Sequence, residues 1–122
     1  MDTERLLRFG EVWAQKDIEA CMDYFTEDAI FHAAAGPEPG TAICGKDAIR
    51  RKIGTIFANP SIAPMIPGPC FVFGDRGMAH WALVIEDESG QSHQYRGIDF
   101  YQFEDDKIKL KDSFRKVLMK TN

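Results

Sequence analysis

The apolar residues of this chain change period near Pro69, from helical spacing before it to strict alternation after it. Helices first and strands afterwards leave one economical arrangement, in which the helices cover one face of an antiparallel sheet. Leu6, Phe9 and Trp13 recur at helical spacing, and so do Ile18, Cys21, Met22 and Phe25. Asp17 stands between the two sets as an N-cap, which predicts a helix, a tight break and a second helix. Thr26-Glu27-Asp28 is expected to end that helix and Ala29-Ile30-Phe31-His32 to leave it as a short strand. A loop rich in Gly and Pro follows, from Ala33 to Gly40. A third helix opens at Lys46 or Asp47, carries Ile49, Ile53, Ile56 and Phe57 on one face, and stops at Asn59-Pro60.

Beyond Pro69 the alternation predicts strands over Cys70 to Phe73, Gly77 to Glu86, Ser92 to Phe103 and Lys107 to Met119. They are joined at Asp75-Arg76-Gly77, at Asp87 to Gln91 and at Glu104-Asp105-Asp106. The fold class is therefore α+β, three N-terminal helices packed on a curved, mostly antiparallel sheet. Such a sheet encloses a cone-shaped hollow, an internal pocket suited to a ligand. With 122 residues and no linker or repeat, the chain reads as one domain over 1–122.

A net charge of −4 disfavours a nucleic-acid partner bound by phosphate neutralisation. The uncharged run Asn59 to Phe73 holds four prolines and is no membrane span. Met1 to Arg5 lacks the layout of a secretory signal, and Cys21, Cys44 and Cys70 are an odd, widely spaced set. Both features point to reduced thiols and a cytoplasmic protein. His32, His80 and His93 form no ligand-spaced pair, so neither a metal nor another cofactor is expected.

Alternation also assigns faces. Asp99, Tyr101 and Phe103 share one face of their strand. On the last strand Ile108, Leu110, Asp112 and Phe114 are expected together, against Lys109, Lys111, Ser113 and Arg115. Met78, His80, Ala82 and Val84 oppose Ala79, Trp81, Leu83 and Ile85. Asp99 on an aromatic face and Asp112 on an apolar one are the anomalies. A carboxylate taken out of water either pairs or gains a proton, and the second course suits a general acid or base. Asp99 thus has a catalytic reading and a structural one, paired with a core Arg or His. Asp112, among Lys111, Arg115 and Lys116, also fits an exposed ion pair. His32 ends its strand where it can reach the mouth of the hollow and shuttle a proton, or it is a surface histidine. His80 reads as a satisfied core histidine or a ligand contact, and His93 as a solvated edge. Phe9, Trp13, Phe57 and Tyr101 supply a core or the wall of a ligand cavity.

The run from Asp17 to His32 resembles the helix-to-strand signature of the NTF2-like superfamily, and Gly45-Lys46-Asp47-Ala48-Ile49 resembles its third-helix start. Asp75-Arg76, His80-Trp81 and the stretch Gly97 to Ile108 are similar to the SnoaL-like branch, which includes polyketide cyclases and ketosteroid-isomerase-like proteins. The pattern there is Gly-x-Asp-x-Phe-x-Phe-x-Asp-Gly-Lys-Ile, with Tyr101 and Asp106 as departures. For the polyketide cyclases the resemblance implies Asp99 as the acid/base. For the steroid isomerases it implies Asp99 in the oxyanion role, but Ala33 and Phe9 stand where the base and the tyrosine belong. For limonene-epoxide-hydrolase-like members it leaves only Asp112, because the strand that should carry Arg-x-Asp reads Met78-Ala79-His80. A homodimer through the outward sheet face is also implied.

The resulting expectation is a protein that binds a small, largely apolar carbonyl compound. Asp99 and His32 are its catalytic candidates for isomerase- or cyclase-type proton transfer, and Phe9, Trp13, Phe57, His80, Tyr101 and Asp112 its ligand contacts. The alternative is a non-catalytic ligand-binding or dimerisation module. No nucleic acid, membrane or cofactor enters either expectation.

Overall fold

The computed structural model describes residues 1–117 and Met119. Along the chain run α1 (Thr3–Ala14), α2 (Ile18–Met22), β1 (Phe25–His32), β2 (Ala42–Cys44), α3 (Lys46–Ala58), β3 (Ile66–Phe73), β4 (Arg76–Glu86), β5 (Ser92–Glu104) and β6 (Lys107–Arg115). Asp2 caps α1 by accepting from the Arg5 amide at 2.8 Å, and Asp17 caps α2 by accepting from the Ala20 amide at 3.1 Å. Between them Lys16 takes a left-handed φ of 58°, which makes the expected break.

Four boundaries differ from expectation by more than one residue, each through a contact made far along the chain. Phe25 to Asp28 belong to β1, because Phe25 pairs with Ile108 and the Ile108 amide donates to Tyr24 O at 2.6 Å. That ladder overrides the helical spacing of Phe25. Ala42–Cys44 pairs with β1 as a three-residue strand too short to show a period. β3 starts at Ile66, ahead of Pro69, and tolerates Pro67 and Pro69 because it is an edge strand with a register shift between Pro67 and Cys70. β6 ends at Arg115, the last residue paired with β5, so Val117 and Met119 lie outside any strand. Leu118 and Lys120 of the expected strand and basic run lie outside the described residues.

The strands form one curved, unclosed sheet in the order β2-β1-β6-β5-β4-β3, antiparallel except where β1 runs parallel to β6. Helix α1 packs on β3 and α3 on β1, with α2 between the helices. Leu6, Met22, Phe25, Ile49, Ile53 and Ile108 are fully buried where these layers meet. Phe9 sits at the centre, edge-on to Trp13, Phe25 and Tyr101. Among the described residues no helix is long and apolar enough to cross a membrane.

The β5–β6 hairpin carries the detail that matters most for the hollow. Glu104 pairs with Lys107 and Phe103 with Ile108, but Gln102 pairs with Leu110, leaving Lys109 as the extra residue of a β-bulge. One extra residue reverses the facing of everything beyond it. Lys111 and Ser113 therefore turn inward and are buried, whereas Leu110, Asp112 and Phe114 turn outward. The expected facing of the last strand holds at Ile108 and is inverted from Leu110 onward.

The three cysteines occupy different environments. Cys44 is exposed, and Cys21 and Cys70 are buried. Burial, helped by the nearby Asp17 charge against that of Lys111, pushes the Cys21 thiol up to about 12, and burial raises Cys70 as well. Since the thiolate is the nucleophile, only Cys44 is expected to react promptly with an aromatic disulfide reagent in the native protein. Prompt release from more than one thiol before denaturant is added would contradict this packing.

Candidate functional site

A cavity of about 260 Å³ lies between α1, α3 and the concave face of the sheet. Phe9, Trp13, Phe31, Phe57 and Leu83 give it apolar walls. Its volume lies just below the about 300–1,000 Å³ of cavities that take drug-sized ligands, so it admits a smaller molecule.

Within this wall sits a compact polar cluster. Asp99 is 5% exposed and Lys111 is 5% exposed. Lys111 Nζ lies 2.9 Å from Asp99 Oδ2, and Tyr101 donates its hydroxyl to the same oxygen at 3.2 Å. The Trp81 indole Nε1 donates to Asp99 Oδ1 at 3.1 Å. Lys111 also donates to Ser113 Oγ at 3.1 Å, and its ammonium sits 4.7 Å from the Trp13 ring centre and 4.5 Å from that of Phe31. Burial first, then the charge of Asp99 and the hydrogen bond to it, hold the Tyr101 hydroxyl well above its ordinary pKa, so it remains a proton donor.

Local sequence explains how these groups meet. Asp99 and Tyr101 alternate inward on β5, and the bulge at Lys109 brings Lys111 opposite Tyr101 and Ser113 opposite Asp99. Trp81 faces Gly97 across the β4–β5 ladder. A Cβ at residue 97 would overlap both the Trp81 indole and the Phe114 carbonyl, so only glycine lets the indole lie across the strand and reach Asp99.

Of the residues singled out in the sequence, Asp99, Phe9, Trp13, Phe57 and Tyr101 line the cavity, and so does Ala33. His80 borders it but is exposed, with its ring edge-on to Phe71 and its Nδ1 3.2 Å from Pro69 O, so it is not a core histidine. His32 and Asp112 are not in the wall. They are partners across the β1–β6 ladder, with His32 Nδ1 3.7 Å from Asp112 Oδ1. Burial raises the Asp112 pKa, the charges of Glu38 and Asp99 add to that, and His32 opposes it. His93 is half-buried and pairs with Asp87 at 2.8 Å, at the hairpin loop.

Lys111 and its partner Ser113 escaped the sequence reading. A signal was present nevertheless. An unbroken register from Glu104↔Lys107 would set Asp99 directly opposite Asp112 inside the sheet, and like charges so placed repel. A bulge between them removes the conflict.

Replacing Gly97 by alanine is expected to displace the Trp81 indole and cost about 1–3 kcal/mol through overpacking. Urea unfolding followed by tryptophan fluorescence measures this, and a variant as stable as the wild type would show that the close approach has no role.

Comparison with known proteins adds the family. A Mesorhizobium loti NTF2-like protein of unknown function is similar in structure, with a TM-score of 0.76 and 23% identity, over 93% of this chain and 89% of that one. The epoxide hydrolase/cyclase-like enzyme SalBIII, with a role in pyran ring formation in the polyether salinomycin, is similar at TM-score 0.76 and 17% identity, over 93% and 88%. A proposed polyketide cyclase from Xanthomonas campestris is similar at TM-score 0.74 and 19% identity, over 92% and 87%. No curated protein matches the chain. The SnoaL-like domain model matches residues 6–110. Together with the helices on a curved sheet and the inward Asp99, that match identifies the chain as a member of the SnoaL-like domain family, with the NTF2-like fold.

Proposed function

We propose that the cavity binds a small, largely apolar carbonyl compound and that Asp99 exchanges a proton with it as general acid and base. The observation that carries this reading is the place of Asp99 in the wall of one apolar cavity beside a hydroxyl donor, Tyr101, whereas its 2.9 Å pairing with Lys111 favours the structural alternative. A carboxylate oxygen takes the proton from the carbon beside the carbonyl, and the electron pair moves onto the carbonyl oxygen. The Tyr101 hydroxyl and the Lys111 ammonium are donors suited to that developing negative charge, strengthened by their dry surroundings. Return of the proton to another carbon gives isomerisation, and attack of the enolate carbon on a second carbonyl closes a ring. His32 is left out of this reading, because it lies beside Asp112 and not in the cavity wall.

A second reading has an observation of its own. Asp99 accepts from three donors, and Lys111 is itself held by Ser113 and two aromatic faces. A polar cluster satisfied in this way serves equally as a lock in a non-catalytic binding module.

Exchange of the α-protons of 2-tetralone in deuterated water, followed by proton NMR, separates the two. The wild type is expected to accelerate exchange and Asp99→Asn to abolish the acceleration. Because Asp99→Asn strands a buried ammonium at about 3–5 kcal/mol, Asp99→Asn with Lys111→Met serves as the stable comparison. A wild type that binds the ketone without accelerating exchange would leave only the binding module.

We also propose a homodimer through the outer sheet face. Phe71, Phe73, Phe100 and Phe114 are about half exposed there, at 50%, 58%, 48% and 49%, and Phe100 packs edge-on to Phe114 at 5.9 Å. Light scattering at micromolar concentration is expected to report twice the chain mass, reduced to the monomer by Phe100→Glu. A monomer mass for the wild type would refute the dimer.

A further inference from the structure

The charges around the cavity are one-sided. Asp99 is the single acidic residue in its wall, and Lys111 already balances it. Three further cations, Lys16, Lys52 and Arg115, reach the same cavity from separate segments: the turn after α1, the middle of α3 and the end of β6. None of the three pairs with a carboxylate among the described residues. Lys16 is half-buried and donates to Ile62 O at 3.3 Å, and the Arg115 guanidinium lies 4.8 Å from the Tyr95 ring centre. The surplus of positive charge is opposite in sign to the chain's net −4. A half-buried ammonium whose only partner is a carbonyl oxygen retains donors for an anion, and a guanidinium stacked on an aromatic ring keeps its edge free for a carboxylate.

We infer that the ligand of this cavity is a small apolar acid, with its hydrocarbon part against the aromatic wall and a carboxylate or acidic enolate held by Lys16, Lys52 and Arg115. This rests on the reading of the cavity as a ligand site and narrows the ligand to anions. An enolisable carbonyl compound that also carries a carboxylate would satisfy both ends of the cavity. The Asp99–Lys111 cluster would then face the reacting carbonyl while the outer cations fix its orientation.

The test compares naphthalene-2-carboxylate with naphthalene-2-carboxamide, which have the same skeleton and differ in charge, by isothermal titration calorimetry. At low ionic strength the acid is expected to bind about tenfold tighter or better, an advantage that shrinks as salt is added. The triple variant Lys16→Met, Lys52→Met and Arg115→Met is expected to bring the acid and the amide to equal affinity. Equal binding of acid and amide by the wild type would overturn the inference and leave the binding function standing. Binding of neither would overturn both. A preference for the acid that survives in the folded triple variant would refute the assignment to these cations. The wild-type comparison decides the central point even if that variant fails to fold.

Discussion

Two opposite charges held together inside an apolar hollow set the terms for this structure. Asp99 and Lys111 are both removed from water, and each is tolerable there only because of the other. The remaining hydrogen-bonding capacity of the pair dictates the surroundings. Trp81 and Tyr101 turn their polar edges to the carboxylate, Ser113 accepts from the ammonium, and Trp13 and Phe31 offer it ring faces. Gly97 is empty so that Trp81 can reach. Five elements (α1, β1, β4, β5 and β6) thus contribute to one cluster.

The hollow exists because the layers meet only along part of their faces. Leu6, Met22, Phe25, Ile49, Ile53 and Ile108 fill the contact between helices and sheet completely. Toward α3 and β4 the aromatic residues Trp13 and Phe57, edge-on at 5.2 Å, border open space. The sheet's curvature keeps the two layers from closing there. A reacting group placed on this concave face is held by strand backbones, so its position depends on ladders and not on loops.

Much of this was legible in the residues themselves. Asp17 marked the break between the helices, and Asp99 announced itself as a carboxylate among aromatics. Phe9, Trp13, Phe57 and Tyr101 followed from periodicity alone, because that spacing puts them on the buried faces. What periodicity misjudged lies beyond irregularities. Strict alternation puts Asp112 inward and Lys111 outward, but the ladder slips by one residue at Lys109 and exchanges them. His32 was placed at the mouth of the hollow because a strand's end is visible in sequence but the direction of its last side chain is not. Its apolar neighbours make His80 read as a core histidine or a ligand contact, and the first does not hold because its ring is exposed.

The amino-acid sequence determined the order of helices and strands, the position of the acidic residue on the inner face and the aromatic supply of the wall. These depend on local periods and on the chemistry of single residues. Only the tertiary structure decided that Lys111 is the partner of Asp99, that His32 turns to Asp112, and that Lys16, Lys52 and Arg115 share one cavity. Such pairings depend on register between strands and on the meeting of segments far apart in the chain. A single bulged residue suffices to exchange one face for the other.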